Sequence, residues 1–212
     1  MIRLLSEDKD LVVCVKPAGL LSEGEGSDSL ITHLREQTGS DIFPVHRLDR
    51  ETGGVMVFAK NSRTAAELSR QIQENKIRKR YYAVLKGCPA EKEGVLKDLL
   101  FRDKQKNKTY TVKRERKGVR DASLEYVIKA QADDLALADI LLHTGRTHQI
   151  RVQFSSRKHP LYGDGRYGGG KGELALFAYS LECINPRTKE KMIFTAKPCT
   201  EAYPWNLFEE IL

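Results

Sequence analysis

The chain has 212 residues, 40% of them hydrophobic and 31% charged, which suits a soluble globular protein with a substantial core in one or two domains. No apolar run approaches membrane-spanning length, and Met1 to Asp8 lack the apolar region of a signal peptide. Cys14, Cys88, Cys183 and Cys199 are far apart and form no Cys-x-x-Cys pair, so neither zinc nor a redox motif is suggested, and free thiols in a reducing cytoplasm are expected.

The net charge is +7, and it is unevenly spread. Arg102 to Arg120 holds nine Lys/Arg against two acids, a local excess equal to the net charge of the whole chain. Lys76-Ile77-Arg78-Lys79-Arg80 is a second basic cluster. Concentrated positive charge on an otherwise balanced protein points to a polyanion, and two such clusters favour nucleic acid over a merely solvated loop.

Taken in chain order, Ile2 to Leu5 and Leu11 to Val15 read as short strands joined by an acidic turn, the second ended by Lys16-Pro17-Ala18-Gly19. Ser27 or Asp28 can cap a helix through Gln37, stopped by Gly39. Val55 to Ala59 is a buried strand, and Asn61-Ser62 caps a helix running to about Glu74 with Ala65, Leu68 and Ile72 inward. Tyr81 to Leu85 is a strand closed by Gly87; Gly94 to Phe101 and Lys108 to Lys113 form a hairpin that carries the basic run. Leu124 to Ile128 and Leu135 to Leu142 are strands, and Gly145 to Phe154 is a turn into a helix with Thr147 as its cap. After a glycine-rich loop, Leu174 to Ile184 and Lys191 to Ala196 form a last hairpin. Strands outnumber helices and mostly follow one another through short turns, which predicts an α+β protein with a mixed, largely antiparallel sheet and a single domain over residues 1–212.

Two stretches carry candidate chemistry. Pro44 to Gly54 packs His46, Arg47, Asp49, Arg50, Glu51 and Thr52 into a loop that enters a buried strand through two glycines. Arg47 and Arg50 flank Asp49, and nearby positive charge favours an ionised carboxylate able to act as nucleophile or base. The same residues also describe a surface turn with local salt bridges, and by themselves they favour that reading. The second stretch, Gly145 to Arg151, places Arg146 and His148 at a helix start, where free N–H groups attract anions, with Arg151 on the same face as Thr147. Arg151 could clamp a phosphate or pair with Asp49; exposed charge on an amphipathic helix is the equal alternative. Tyr81 and Tyr82 alternate on their strand, so one of them faces inward, as core or as a platform for a base.

Four motifs occur in order: His46-Arg47-Leu48-Asp49-x-x-Thr52, Lys79-x-Tyr81-x-Ala83-Val84-x-x-Gly87, Thr144-Gly145-Arg146-Thr147-His148-Gln149-Ile150-Arg151 and His159-Pro160-x-x-Gly163-Asp164-x-x-Tyr167. Together, over about Asp10 to Pro198, they resemble the RluA-type pseudouridine synthases, which isomerise uridine in ribosomal or transfer RNA. The resemblance implies a central, mostly antiparallel mixed sheet with flanking helices and a cleft across its middle. It implies Asp49 as the catalytic aspartate, Tyr81 as the active-site tyrosine and Arg151 as the arginine that pairs with Asp49. It further implies no cofactor or metal, and His46, Arg47, Lys79, Arg146 and His148 are expected to contact the substrate. Lys104, Lys106 and Lys108 of the basic segment are expected on RNA phosphates. Three positions depart from the family pattern: Gly53 stands where Ser is usual, and Gln153 and Phe177 stand where His is usual. The chain also lacks room for the small N-terminal RNA-binding domain that many relatives carry, and the basic segment is expected to compensate.

The expected protein is therefore a cytoplasmic, monomeric enzyme acting on rRNA or tRNA. The reaction breaks the N1–sugar bond, rotates the base and joins C5 to the sugar, with no oxidation or hydrolysis. One carboxylate can attack either the sugar C1′ or the base C6. A non-catalytic RNA-binding protein on the same fold is the alternative. A metal-dependent hydrolase is the other rival, and the five histidines lack metal-ligand spacing.

Overall fold

A computed structural model describes residues 1–212. In chain order the elements are β1 (Arg3–Glu7), β2 (Leu11–Lys16), α1 (Leu30–Thr38), β3 (Phe43–Pro44), β4 (Gly53–Ala59), α2 (Ser62–Gln73), β5 (Arg78–Lys86), β6 (Glu93–Asp103), β7 (Lys108–Val112), β8 (Val119–Ala132), β9 (Leu135–Leu142), α3 (Gln149–Ser155), β10 (Leu176–Ile184) and β11 (Lys191–Thr195), followed by a 3-10 turn at Trp205–Phe208. The chain is α+β, as its strand-rich pattern predicts. It divides into two compact units, one of residues 1–79 with 177–198 and one of residues 80–176 with 199–212. No helix is long and apolar enough to cross a membrane.

The first unit is built around β4. All seven of its residues are buried, because a run of Val, Met and Phe with no charge can only be stable inside. β2 pairs with it antiparallel from Leu11↔Ala59 to Lys16↔Gly54, and β10 pairs with it in parallel at Phe177↔Gly53 and Ala178↔Gly54. β1 extends β2, β11 extends β10, and the two-residue β3 lies on β4 at Phe43↔Ala59 and Pro44↔Phe58. One face of this sheet buries Leu11, Val13, Val55, Val57 and Ala59 together with Leu68 of α2 and Leu181 and Cys183 of β10. α2 starts where the sequence places it: the Asn61 side chain accepts the Thr64 N–H at 2.9 Å. α1 ends at Gly39, whose left-handed φ of +63° lets its N–H bond Arg35 O.

The second unit is the sheet β5-β9-β8-β6-β7. β6 pairs antiparallel with β8 from Glu93↔Val127 to Phe101↔Val119, and β8 with β9 across a bulge near Ile128 to Ala130. β8 is longer than its apolar run because its flanks alternate buried with exposed polar positions. β6 and β7 form the expected basic hairpin, from Leu99↔Val112 to Asp103↔Lys108. Helix α3 packs Val152 with Leu100, Ala122 and Tyr167, and Phe154 edge-on against Tyr126 at 5.4 Å.

Two local expectations are corrected. The first helix is capped at Ser29, not at Ser27 or Asp28. Thr147 does not cap α3: the residue before that helix is His148, in the left-handed region at φ +53°, with no side-chain cap bond. The Gln149 side chain takes over, accepting Arg146 N–H at 3.0 Å and the Thr144 hydroxyl at 2.7 Å. All four cysteines are free, with Cys14 and Cys183 buried.

Candidate active site

The loop from His46 to Thr52 enters β4, and the structure holds it from below through a residue that the motifs did not single out. Lys16, at the end of β2, is wholly buried. Its ammonium donates to Pro17 O at 3.0 Å, Arg50 O at 3.0 Å and Thr52 O at 2.8 Å, so its three protons meet three carbonyls, two of them in the Asp49 loop. Burial pushes the Lys16 pKa down to about 8, while the negative charges of Asp49 and Glu51 pull it back up. Lys16 thus brings positive charge to the loop. The arginines flanking Asp49 pair elsewhere, Arg47 with Glu23 at 3.2 Å and Arg50 with Asp28 at 3.4 Å, both well exposed.

Other bonds complete the frame. Gly19 N–H donates to Arg50 O at 2.8 Å, and Arg50 Nε returns to Gly19 O at 2.8 Å. Ser22 Oγ donates to Leu48 O at 2.9 Å, and Thr52 N–H closes the turn on Asp49 O at 3.0 Å. Where β3 stops, the His46 ring continues its work: Nε2 accepts the Val57 N–H of β4 at 3.2 Å. Burial, with the charge of Lys79 adding to it, drives the His46 pKa down to about 3, so its imidazole is neutral at ordinary pH. Burial likewise lowers the Lys79 pKa. Gly54, at φ +130°, is required by the β10 contact, since a Cβ there would meet the Ala178 backbone oxygen at 2.3 Å.

In the second unit Tyr81 is buried on β5. Arg151, buried on α3, forms a two-pronged ion pair with Asp164, Nε to Oδ2 at 2.7 Å and Nη2 to Oδ1 at 2.8 Å. The resemblance assigned Asp164 no partner. Arg146 donates from Nε to Asp121 O at 2.9 Å, and His148 Nδ1 bonds the Tyr167 hydroxyl at 2.9 Å. Lys104 and Lys106 are exposed at the hairpin turn, whereas Lys108 is half-buried, its ammonium 5.1 Å from the Tyr167 ring centre. Part of the basic cluster 76–80 is paired with acids of the same chain: Lys76 with Glu74 at 2.7 Å on the surface and Arg80 with Asp139 at 2.7 Å.

The departures Gly53 and Phe177 are neighbours across the β4–β10 pairing, and a Cβ on Gly53 would lie 3.2 Å from the Phe177 ring. Gln153 is wholly buried and donates to Asp98 Oδ2 at 2.7 Å, which ties α3 to β6. No group of three or more His, Cys, Asp or Glu side chains is arranged to hold a metal ion.

The fold that carries this arrangement, a carboxylate on a turn braced by a buried ammonium, is found in solved structures. The solved human RNA pseudouridylate synthase domain containing 1 matches 97% of this chain and 86% of its own with a TM-score of 0.79 at 21% identity, which shows a shared fold. The RNA pseudouridylate synthase family matches residues 10–156. The tRNA pseudouridine synthase C of Haemophilus influenzae is 32% identical over 92% of this chain and 92% of its own. The ribosomal large subunit pseudouridine synthase C of Rickettsia bellii is 31% identical over 79% of this chain and 57% of its own. The chain belongs to the RluA-type RNA pseudouridine synthases, isomerases that act on RNA.

Proposed function

We propose that the protein converts specific uridines of tRNA or rRNA to pseudouridine, with Asp49 as the covalent nucleophile. The observation that carries this reading is the Lys16 brace. One buried ammonium makes three hydrogen bonds, two of which fix the turn on which Asp49 stands, and it brings a compensating charge to the carboxylate. A nucleophile held this way starts close to its attack geometry. Attack on C1′ expels the uracil at N1, whereas attack on C6 gives an Asp49–base adduct from which the N1–C1′ bond then breaks. In either route the base turns, C5 bonds to C1′, the bond to Asp49 breaks to return the carboxylate, and the proton on C5 leaves to restore the ring.

Tyr81 lies against the base and Arg151 pairs with Asp49 as well as with Asp164. Arg47, Lys79, Arg146 and His148 contact the substrate, and Lys104, Lys106 and Lys108 take RNA phosphates. His46, held neutral, serves by tethering the loop and offers the substrate no charge. Residues 1–212 act as one catalytic domain, in the cytoplasm, as a monomer, without cofactor or metal. The test is to map pseudouridine in tRNA and rRNA from cells with and without the protein and to restore the lost sites with purified enzyme. Sites that vanish on deletion and return with wild-type protein but not with Asp49→Asn support the proposal. An unchanged pseudouridine map overturns it.

A further inference from the structure

We propose that the Tyr167 hydroxyl latches the basic edge strand β7 to the helix that carries Arg151, so that the grip on RNA and the placement of the arginine are set together. This rests on the reading above, in which Arg151 and the basic hairpin both serve the RNA.

The latch follows from what an edge strand lacks. β7 pairs only with β6, so the N–H groups on its other side have no ladder partner. Thr109 is 2% exposed, and a buried N–H without an acceptor is costly. Its N–H donates to the Tyr167 hydroxyl at 2.8 Å, and its own hydroxyl donates to Thr147 O at 2.9 Å. Both acceptors belong to the segment around α3. A phenol oxygen has one proton to give, and it lies 2.9 Å from His148 Nδ1. Donation there leaves the oxygen free to accept from Thr109, so every group in the bridge is satisfied.

Tyr167 is joined just as firmly to Arg151. Its N–H donates to Asp164 Oδ1 at 3.2 Å, the carboxylate that holds the Arg151 guanidinium. Its carbonyl accepts from Ser155 Oγ at 2.6 Å, at the far end of α3. Its ring has the Arg151 guanidinium at 5.4 Å on one hand and the Lys108 ammonium at 5.1 Å on the other. One residue thus touches the strand that bears the basic hairpin, the loop before α3 and the arginine on α3. Thr109, Arg151, Asp164 and Tyr167 are buried, with Thr147 and His148 half-buried at the edge. A network bonded at each of these points favours one arrangement, so movement of the hairpin on RNA reaches Arg151. Tyr167 is a positioning residue.

The test is Tyr167→Phe, which keeps the ring and both cation contacts and removes the bridging oxygen. Turnover is measured on bulk tRNA and rRNA from cells lacking the enzyme, and binding on a single-stranded oligouridylate. Binding is measured with and without Lys104→Ala and Lys106→Ala, in both wild-type and Tyr167→Phe backgrounds. Loss of one such bond is expected to lower kcat by about tenfold. The lysine substitutions are expected to cost at least about threefold less affinity in the Tyr167→Phe background than in wild type, because coupled sites are not additive. A lowered melting temperature with unchanged kcat and an additive lysine effect means a merely structural hydroxyl and overturns the latch. If Tyr167→Phe does not fold, Thr109→Val cuts the parallel bond to Thr147 at nearly the same shape and carries the same two expectations. If wild type makes no pseudouridine, the functional reading falls while the binding cycle still decides the latch.

Discussion

Removal of Lys16 separates stability from catalysis in a way that few substitutions can. In Lys16→Met the buried carbonyls of Pro17, Arg50 and Thr52 lose their donor, at about 1–3 kcal/mol for each that finds no other. Against that, the cost of burying the ammonium disappears. A fall of the pKa from 10.5 to about 8 corresponds to about 3 kcal/mol at ~1.4 kcal/mol per unit. Three unmet carbonyls would cost about 3–9 kcal/mol, so the net destabilisation is expected to fall between about 0 and 6 kcal/mol, towards the low end where water or backbone shifts supply a donor. The loop that carries Asp49 loses its brace, and a misplacement of about 1 Å at a reacting group can cost about a hundredfold in rate.

The pH dependence sharpens the test. Lys16 has a folded-state pKa of about 8 against 10.5 for an ordinary lysine. Between these values the unfolded chain holds a proton that the folded chain has released. Stability from this group therefore rises as pH climbs through the window. Activity moves the other way, because the neutral amine has two protons for three carbonyls and no charge for Asp49. Conversion of saturating RNA should fall along an alkaline limb near pH 8 while the melting temperature does not fall with it. Uridine itself titrates at alkaline pH, so Lys16→Met is the control: it keeps any limb of the substrate and lacks that of Lys16. A wild-type rate that is flat to pH 10, or a folded Lys16→Met protein with wild-type kcat, refutes the brace.

Other outcomes follow from the same contacts. Asp49→Asn keeps the shape of the loop and should bind RNA as wild type does while forming no pseudouridine, read by nucleoside composition after deamidation is excluded. Neutralising Lys104, Lys106, Lys108 and Lys113 together should flatten the salt dependence of RNA binding by several log units per log unit of salt, at roughly 0.7–0.9 per lost phosphate contact; an equal slope would mean that the segment does not grip RNA. His46, with its pKa lowered to about 3, stays neutral while the unfolded histidine charges, so stability should fall as pH drops from 6.5 towards 3, and His46→Gln should remove most of that acid sensitivity in equilibrium unfolding. Gly53→Ser forces a Cβ to 3.2 Å from the Phe177 ring and should destabilise by about 1–3 kcal/mol, with part recovered by adding Phe177→His; strict additivity in a denaturation cycle would reject the pairing.

What could be read from the sequence was local. The uncharged run Val55 to Ala59 had to be a buried strand, and Asn61 before Ala65, Leu68 and Ile72 had to start a helix that packs on it. Lys16 escaped because a lysine at the end of an apolar strand looks like its wet end. Its burial depends on carbonyls 34 and 36 residues away, and no periodicity carries that. The start of α3 escaped for a related reason. Thr147 has the chemistry of a cap, but Gln149 reaches back to Arg146 and Thr144 and closes the loop from the other side. β3 and the turn Trp205–Phe208 are too short to leave a pattern.

Gly53 and Phe177 show why a motif judged residue by residue can mislead. Gly53 and Phe177 lie 124 positions apart and look like two independent losses, yet they face each other in the parallel register of β4 and β10. The Cβ that Gly53 lacks would sit 3.2 Å from the Phe177 ring and 3.3 Å from the Lys16 carbonyl, so a side chain at 53 and the ring at 177 compete for one space. The contact lies at the entry of the strand that the Asp49 loop feeds, beside the residue that braces it. It leaves the three bonds from the Lys16 ammonium intact. A contact that leaves the brace whole fits a loop whose geometry, more than the identity of each neighbour, governs where Asp49 stands.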